Sequence, residues 1–129
     1  MQKDKIYDLL ERTERFSLRV RDFCLKVKKD IINREYIVQL IRAAGSAAGN
    51  YIEANENLGD RDLKFRIKIC RKESKESKLW LKHVLTYGDN DLEKERLELI
   101  QEAFELEQIF GAILKKLIQK DQSKVITKQ

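Results

Sequence analysis

Arg42-Ala-Ala-Gly-Ser-Ala-Ala-Gly-Asn-Tyr-Ile-Glu-Ala54 is the smallest-residue segment of a chain otherwise built from long side chains. Helical periodicity runs through it from Ile37 to Asn55. At about 100° per residue, Ile37, Leu40, Ile41, Ala44, Ala47, Ala48, Tyr51 and Ile52 share one face. Its middle is alanine, so a neighbouring helix can come close there. Gly45 and Gly49 lie on the flank, where each costs about 1 kcal/mol against alanine. They predict contact with a second neighbour, because an exposed face would gain from alanine. The opposite face carries Gln39, Arg42, Ser46, Asn50 and Glu53 at steps of three and four. That stripe is either solvated or a hydrogen-bonded seam, since Asn and Ser are mediocre helix formers that are placed for their side-chain partners.

The same pattern extends outward. Helix one is expected from near Asp4, as N-cap, to about Lys29, burying Ile6, Leu9, Leu10, Phe16, Val20, Phe23, Cys24 and Val27. Helix two is expected from Arg34, capped by Asn33, to Glu56, with Gly59 in the turn that follows. Helix three, capped by Asp60, runs from about Arg61 to Tyr87. Helix four starts after an Asn90–Glu93 capping box and runs from Asp91 to about Lys120. Short loops between four long helices predict an all-α, up-down-up-down antiparallel bundle over residues 1–121, with a flexible tail over 122–129.

Composition agrees with that class. The 129 residues include no proline and five glycines, and 38% are charged, which suits long helices and excludes an all-β fold. No run approaches the roughly 20 apolar residues that a membrane span requires, and the N-terminus has no apolar signal core. A cytoplasmic protein is the expectation. Cys24 and Cys70 stand far apart on apolar faces without a CxxC, which reads as buried free thiols.

Helix three holds the strongest functional lead. Arg61, Lys64, Lys68, Arg71, Lys75, Lys78 and Lys82 alternate steps of three and four and fall within roughly 100° of one another. Like charges at that spacing repel, and acidic partners within the stripe are missing. Phosphates of RNA or DNA would relieve the repulsion, as would the acids of helix four. A plain solvated face is the bland alternative. From Asp60 to Gly88 nine Lys and Arg oppose four Asp and Glu; from Asn90 to Asp121 five oppose eight. Helix four is therefore a natural electrostatic neighbour, in its own subunit or another. The apolar surface of helix three is also too wide for one seam. Leu63, Ile67, Cys70, Leu81, Val84 and Leu85 mark one face, while Phe65, Ile69 and Trp80 mark an adjoining flank that fits a subunit interface.

Catalysis finds no support. His83 is the only histidine, outside the main core face, so neither a Glu-x-x-His metal pair nor a nucleophilic triad can be assembled. Glu53, Glu73 and Glu76 could gather across helices two and three, but carboxylates without histidine more commonly pair with Arg42 or Lys68. No metal, no cofactor and no enzyme activity are expected.

Three stretches resemble a known family. Gln39-Leu-Ile-Arg-Ala-Ala-Gly-Ser46, Asn50-Tyr-Ile-Glu53, and Phe65 through Lys72-Glu73-Ser-Lys-Glu76-Ser-Lys-Leu-Trp80-Leu81 are similar to the four-helix-bundle proteins encoded in intervening sequences of bacterial 23S rRNA genes. That family includes the accessory variability protein of diversity-generating retroelements. The specific motifs cover about the middle third of the chain, while helices one and four match in length and pattern only. Where the family usually places Gly shortly after Glu53, Ala54-Asn55 stand here. The resemblance implies a homopentameric barrel without enzymatic activity. Its retroelement member is basic and binds nucleic acid and a reverse transcriptase. The shared motifs also lead to an expected polar seam in which Asn50 and Glu53 face Glu73, Glu76 and Lys68. An oligomeric adaptor that recruits a protein partner such as a reverse transcriptase is the competing expectation.

Overall fold

Four helices, α1 (Lys5–Lys26), α2 (Ile31–Ala54), α3 (Asp60–His83) and α4 (Asn90–Lys128), make up the computed structural model, and no strand occurs among the described residues. The backbone is described over residues 5–56 and 58–128, and side chains over 9–56 and 58–124. The expected Asp4 cap, Asn57 of the expected turn and the side chain of Ile6 lie outside those residues. Among the described residues no helix is long and apolar enough to cross a membrane.

The helices close a ring whose main contacts join α1 to α2 and α4, and α3 to α2 and α4, while Tyr51 of α2 and Phe110 of α4 meet across the core with ring centres 5.5 Å apart. Contacts fix the directions. Tyr36 meets Trp80 and Asn50 meets Arg66, so α2 and α3 run antiparallel. Lys64 meets Asp121 and Lys78 meets Glu107, so α3 and α4 do as well. Arg12 reaches Glu102 while Lys26 reaches Glu95, which sets α1 against α4 in the same sense.

The α2–α3 pair is the most extensive contact, and small residues explain it. Ala43, Ala44 and Ala47 are buried on α2, and Cys70, Ser74 and Ser77 on α3. With small side chains on both sides, the two backbones approach closely. The buried hydroxyls are satisfied within their own helix: Ser74 Oγ donates to the Cys70 carbonyl and Ser77 Oγ to the Glu73 carbonyl, both at 2.8 Å. Cys70 Sγ lies 3.5 Å from the Ala47 carbonyl oxygen across the seam. Phe16, Phe23, Leu40, Ile67, Leu81, Leu99, Leu106 and Phe110 fill the rest of the core. Both cysteines are buried and free, and burial pushes each thiol up to about 12.

Details of α2 depart from the sequence reading. Ile41 and Ile52, expected on the buried face, are 46% and 50% exposed. The buried stripe is turned toward α3, centred on Ala43, Ala47 and Ala54, which leaves those isoleucines beyond its edge. Gly45 and Gly49 have no heavy atom within 4 Å of where a Cβ would stand, so no neighbour within the chain accounts for them.

Both turns at one end of the bundle also differ, and one residue explains both. Asp30, not Asn33, caps α2, accepting the Asn33 backbone N–H at 2.8 Å. Asn33 is fully buried instead. Its Nδ2 donates to the carbonyls of Lys28 and Leu85, and its Oδ1 accepts the Leu85 N–H, all at 2.9 Å. The side chain thus pairs with the Leu85 peptide as a neighbouring strand would. That pairing pulls residues 84–86 out of the helix, so α3 ends at His83 rather than Tyr87. Tyr87 hydrogen-bonds Asp30, with Lys28 over its ring. Tyr87 and Gly88 take positive φ (53° and 81°) to complete the turn. Asp89 caps α4 by accepting the Leu92 N–H at 3.0 Å, in place of the expected Asn90–Glu93 box. At the other turn Gly59, not Asp60, holds the cap position of α3, with no side-chain hydrogen bond. At the far end α4 continues to Lys128, about two turns beyond the expected end at Lys120.

Asn33→Ala would remove the side-chain partner of the part-buried Leu85 N–H and carbonyl and of the Lys28 carbonyl. We expect a loss of about 2–4 kcal/mol, since each stranded group costs about 1–3. It would be read as a lower urea midpoint at unchanged m-value.

Candidate nucleic-acid interface

The cationic stripe of α3 faces outward along the seam with α4, and its seven members divide into two kinds. Lys64 pairs with Asp121, and Lys78 with Glu107 at 2.8 Å; both acids belong to α4. The Lys78 ammonium also stands 5.1 Å from the centre of the Phe104 ring. Arg61, Lys68, Arg71, Lys75 and Lys82 are exposed, and none has an acidic partner among the described residues.

The reason lies in how α4 spends its acids. Glu95, Glu98, Glu102 and Glu105 recur at steps of three and four and face α1. There they meet Lys26, Arg19 and Arg12, which are spaced seven apart. Arg12 is bidentate on Glu102 and reaches Glu105 as well, all at 2.7 Å. Those carboxylates hold the Arg12 guanidinium above its ordinary value, the hydrogen bond to Glu102 contributing most. Glu93 is held by Arg96. Only Glu107 and Asp121 turn toward α3. The expectation that α4 would neutralise α3 therefore holds at Lys64 and Lys78 and fails at Arg61, at Lys82 and at the three cations between the paired lysines.

Around this middle section the structure adds cations that the stripe rule left out. Lys72 joins Lys68, Arg71, Lys75 and Leu114 in lining a depression, and Lys115 of α4 lines the adjoining one with Arg71. Lys72 sits one step off the stripe. Lys115 belongs to the basic end of α4, which antiparallel packing carries alongside α3. The charge of that end was visible in the sequence; its neighbour was not.

The proposed polar seam comes together only in part. Asn50 does reach α3, but its Oδ1 accepts from Arg66 at 3.0 Å, while its Nδ2 returns to Ser46. Arg66 escaped the sequence reading because it lies off both stripes. Glu53 is exposed, and no hydrogen bond or ion pair among the described residues joins it to Glu73, Glu76 or Lys68; Glu76 pairs with Lys72 on its own helix. Gln39 and Arg42 are exposed.

On the flank assigned to a subunit interface, Phe65 is 56% exposed and Ile69 half-buried. Trp80 is half-buried too, stacked on Tyr36 with ring centres 6.0 Å apart. His83 is exposed beside both rings, with Nδ1 2.8 Å from the Leu79 carbonyl oxygen. No three His, Cys, Asp or Glu side chains among the described residues gather as a metal would need.

Asp30, Asp60, Glu93 and Glu105 are all held below the ordinary carboxylate range. Arg96, and after it Thr86, holds the Glu93 carboxyl at about 2, and hydrogen bonds from Gln101 and Arg12 lower Glu105. A depressed carboxylate gives stability that is present above its unfolded value and lost as pH falls through its folded one. Stability should therefore decline as pH drops from about 4.5 toward 2. In Arg96→Ala, urea midpoints measured across that window should fall less steeply than in the parent.

Comparison of this chain with family models, with curated proteins and with solved structures finds no match.

Proposed function

We propose that this chain is a non-enzymatic, cytoplasmic nucleic-acid-binding protein of the rRNA intervening-sequence type, which holds RNA or DNA by its phosphates along α3. One observation carries the reading. Lys68, Arg71 and Lys75 lie side by side without acidic partners, while all six glutamates of the first half of α4 are engaged elsewhere in the chain. Repulsion among neighbouring cations is a standing cost that a polyanion would relieve, and phosphate binding adds the release of condensed counterions. The middle-third resemblance points the same way. Two buried free thiols suit a reducing compartment.

The test is fluorescence anisotropy with RNA and duplex DNA across a salt series. Lys68→Glu, Arg71→Glu and Lys75→Glu combined should abolish binding at physiological salt. Neutral replacements at the same three positions should reduce the slope of log K against log salt by about three. Parent protein that fails to bind at low salt would remove the reading.

The assembly belongs to the same proposal: a homo-oligomer, pentameric as the resemblance implies, with Phe65, Ile69 and Trp80 at its subunit contacts. Exposure of Phe65 supports it. Trp80→Ala would also break the stack on Tyr36, so Phe65→Ser is the cleaner variant. Light scattering should show a smaller particle at unchanged helix content, and an unchanged mass would exclude this flank. A second reading, an adaptor for a protein partner such as a reverse transcriptase, draws on α2. Val38, Ile41 and Ile52 are each about half exposed on its outer side. Binding to such a partner would resist salt, where phosphate binding weakens steeply.

A further inference from the structure

Cations of α3 form one wall of a groove whose other wall is α4: Lys68, Arg71 and Lys75 have no acidic partner among the described residues, and Lys72 pairs with Glu76. On one side of Arg71 the groove encloses about 610 Å³ and reaches Gln108, Lys115, Ile118 and Gln119. On the other side it encloses about 370 Å³ among Lys68, Lys72 and Lys75. Arg71 and Leu114 line both lobes, so the two adjoin. Arg71 lies across Gly111, its Nε 3.5 Å from where a Cβ would stand, so the missing side chain gives the guanidinium room over α4. Ion pairs bound the groove at both ends, Lys64 with Asp121 and Lys78 with Glu107.

Between those ends the two walls differ in chemistry. The α3 wall is cationic. The α4 wall offers one cation, Lys115, and one acid, Glu107, whose carboxylate is taken up by Lys78; the rest is aliphatic and amide groups, Ile118, 41% exposed, with Gln108 and Gln119. We infer that the groove takes a single-stranded stretch of nucleic acid, with phosphates along α3 and unpaired bases against α4. The inference rests on the nucleic-acid reading above and narrows it. Helices packed together lie about 8–10 Å apart, and the furrow between them can meet a duplex only along one backbone. A duplex would satisfy the lysines and leave Ile118 in water. A single strand has bases free to turn away from its phosphates. Their faces can cover Ile118, and their edges can meet the glutamine amides, which carry both donors and an acceptor. Lys68, Arg71, Lys72, Lys75 and Lys115 together limit the salt slope to about −3.5, at about −0.7 per phosphate neutralised on a single strand.

The experiment is fluorescence anisotropy on the full chain, using labelled oligo-deoxythymidine and a hairpin duplex of equal length, with polyglutamate as a competing polyanion. Ile118→Ser and Gln108→Ala alter the α4 wall at two exposed positions, and matching thermal melts would secure each comparison. We expect the strand to bind more tightly than the duplex. Each variant should weaken strand binding about fivefold and leave duplex binding unchanged. Equal affinity for strand and duplex, indifferent to both variants, would overturn the groove as a single-strand site while leaving phosphate binding by α3 in place. Displacement of the strand by polyglutamate at equal charge would overturn the single-strand site by showing that the groove takes any polyanion. Binding of neither nucleic acid at low salt would overturn the broader reading together with it.

Discussion

The close approach of α2 to α3 is the constraint on which the other features depend. Alanines on one helix and Cys70, Ser74 and Ser77 on the other leave no bulk between the backbones. Larger residues would push the helices apart, and a hydroxyl without its backbone acceptor would be stranded in the core. This contact also fixes the rotation of α3 about its own axis. Once its small-residue face is committed to α2 and Ile67 and Leu81 to the core, the cationic stripe can point only toward α4 and solvent. The position of the charged surface is thus a consequence of apolar packing.

Electrostatics then sorts the remaining faces. The α1–α4 contact is the least extensive in the ring, yet it holds the densest ion pairing, with Arg12, Arg19 and Lys26 against four glutamates. Surface pairs of this kind contribute only about 0–1 kcal/mol each. Their larger effect is on the register of α4 and on charge supply. By drawing the acids toward α1, they leave the centre of α3 without counter-charge. Two helices in one chain thus become neighbours without neutralising each other.

How much of this was legible depends on the range of the interaction. The four helices follow from apolar spacing, and the buried stripe of α1 follows from Leu9, Phe16, Val20, Phe23, Cys24 and Val27. Local rules failed where a residue serves a distant one. Asn33 reads as a helix cap from its identity and position, yet its partner is the peptide at Leu85, 52 residues away. That one contact shifts the start of α2 and ends α3 early. The cationic stripe was visible as a pattern, but the division between its neutralised members, Lys64 and Lys78, and its open centre was not. It requires knowing that Glu107 and Asp121 turn toward α3 while Glu95, Glu98, Glu102 and Glu105 do not. Arg66 and Lys115 were missed for the same reason, since each gains its place from a neighbouring helix.

The two surfaces left unsatisfied by this fold are compatible in space. Gly45 and Gly49 forgo about 1 kcal/mol each of helix stability, and among the described residues no neighbour comes within 4 Å of where a Cβ would stand. They lie on the outer side of α2 with Val38, Ile41 and Ile52, whereas the inner side of α2 meets α4 in the core, where the Tyr51 and Phe110 rings stand 5.5 Å apart. The flank of α3 carrying Phe65 and Trp80 is likewise turned from the cationic stripe toward α2, since Trp80 stacks on Tyr36. An assembly formed through α2 and this flank would leave the α3–α4 groove uncovered in every subunit. Repeated copies of a modest cationic site would then act on one polyanion at high effective concentration. Such a protein needs no strong single site, so five cations per subunit without an aromatic platform would suffice. On that argument the proposed oligomerisation and the proposed nucleic-acid binding would be parts of one design, because an assembly through the outer side of α2 would supply the valency that the groove by itself lacks.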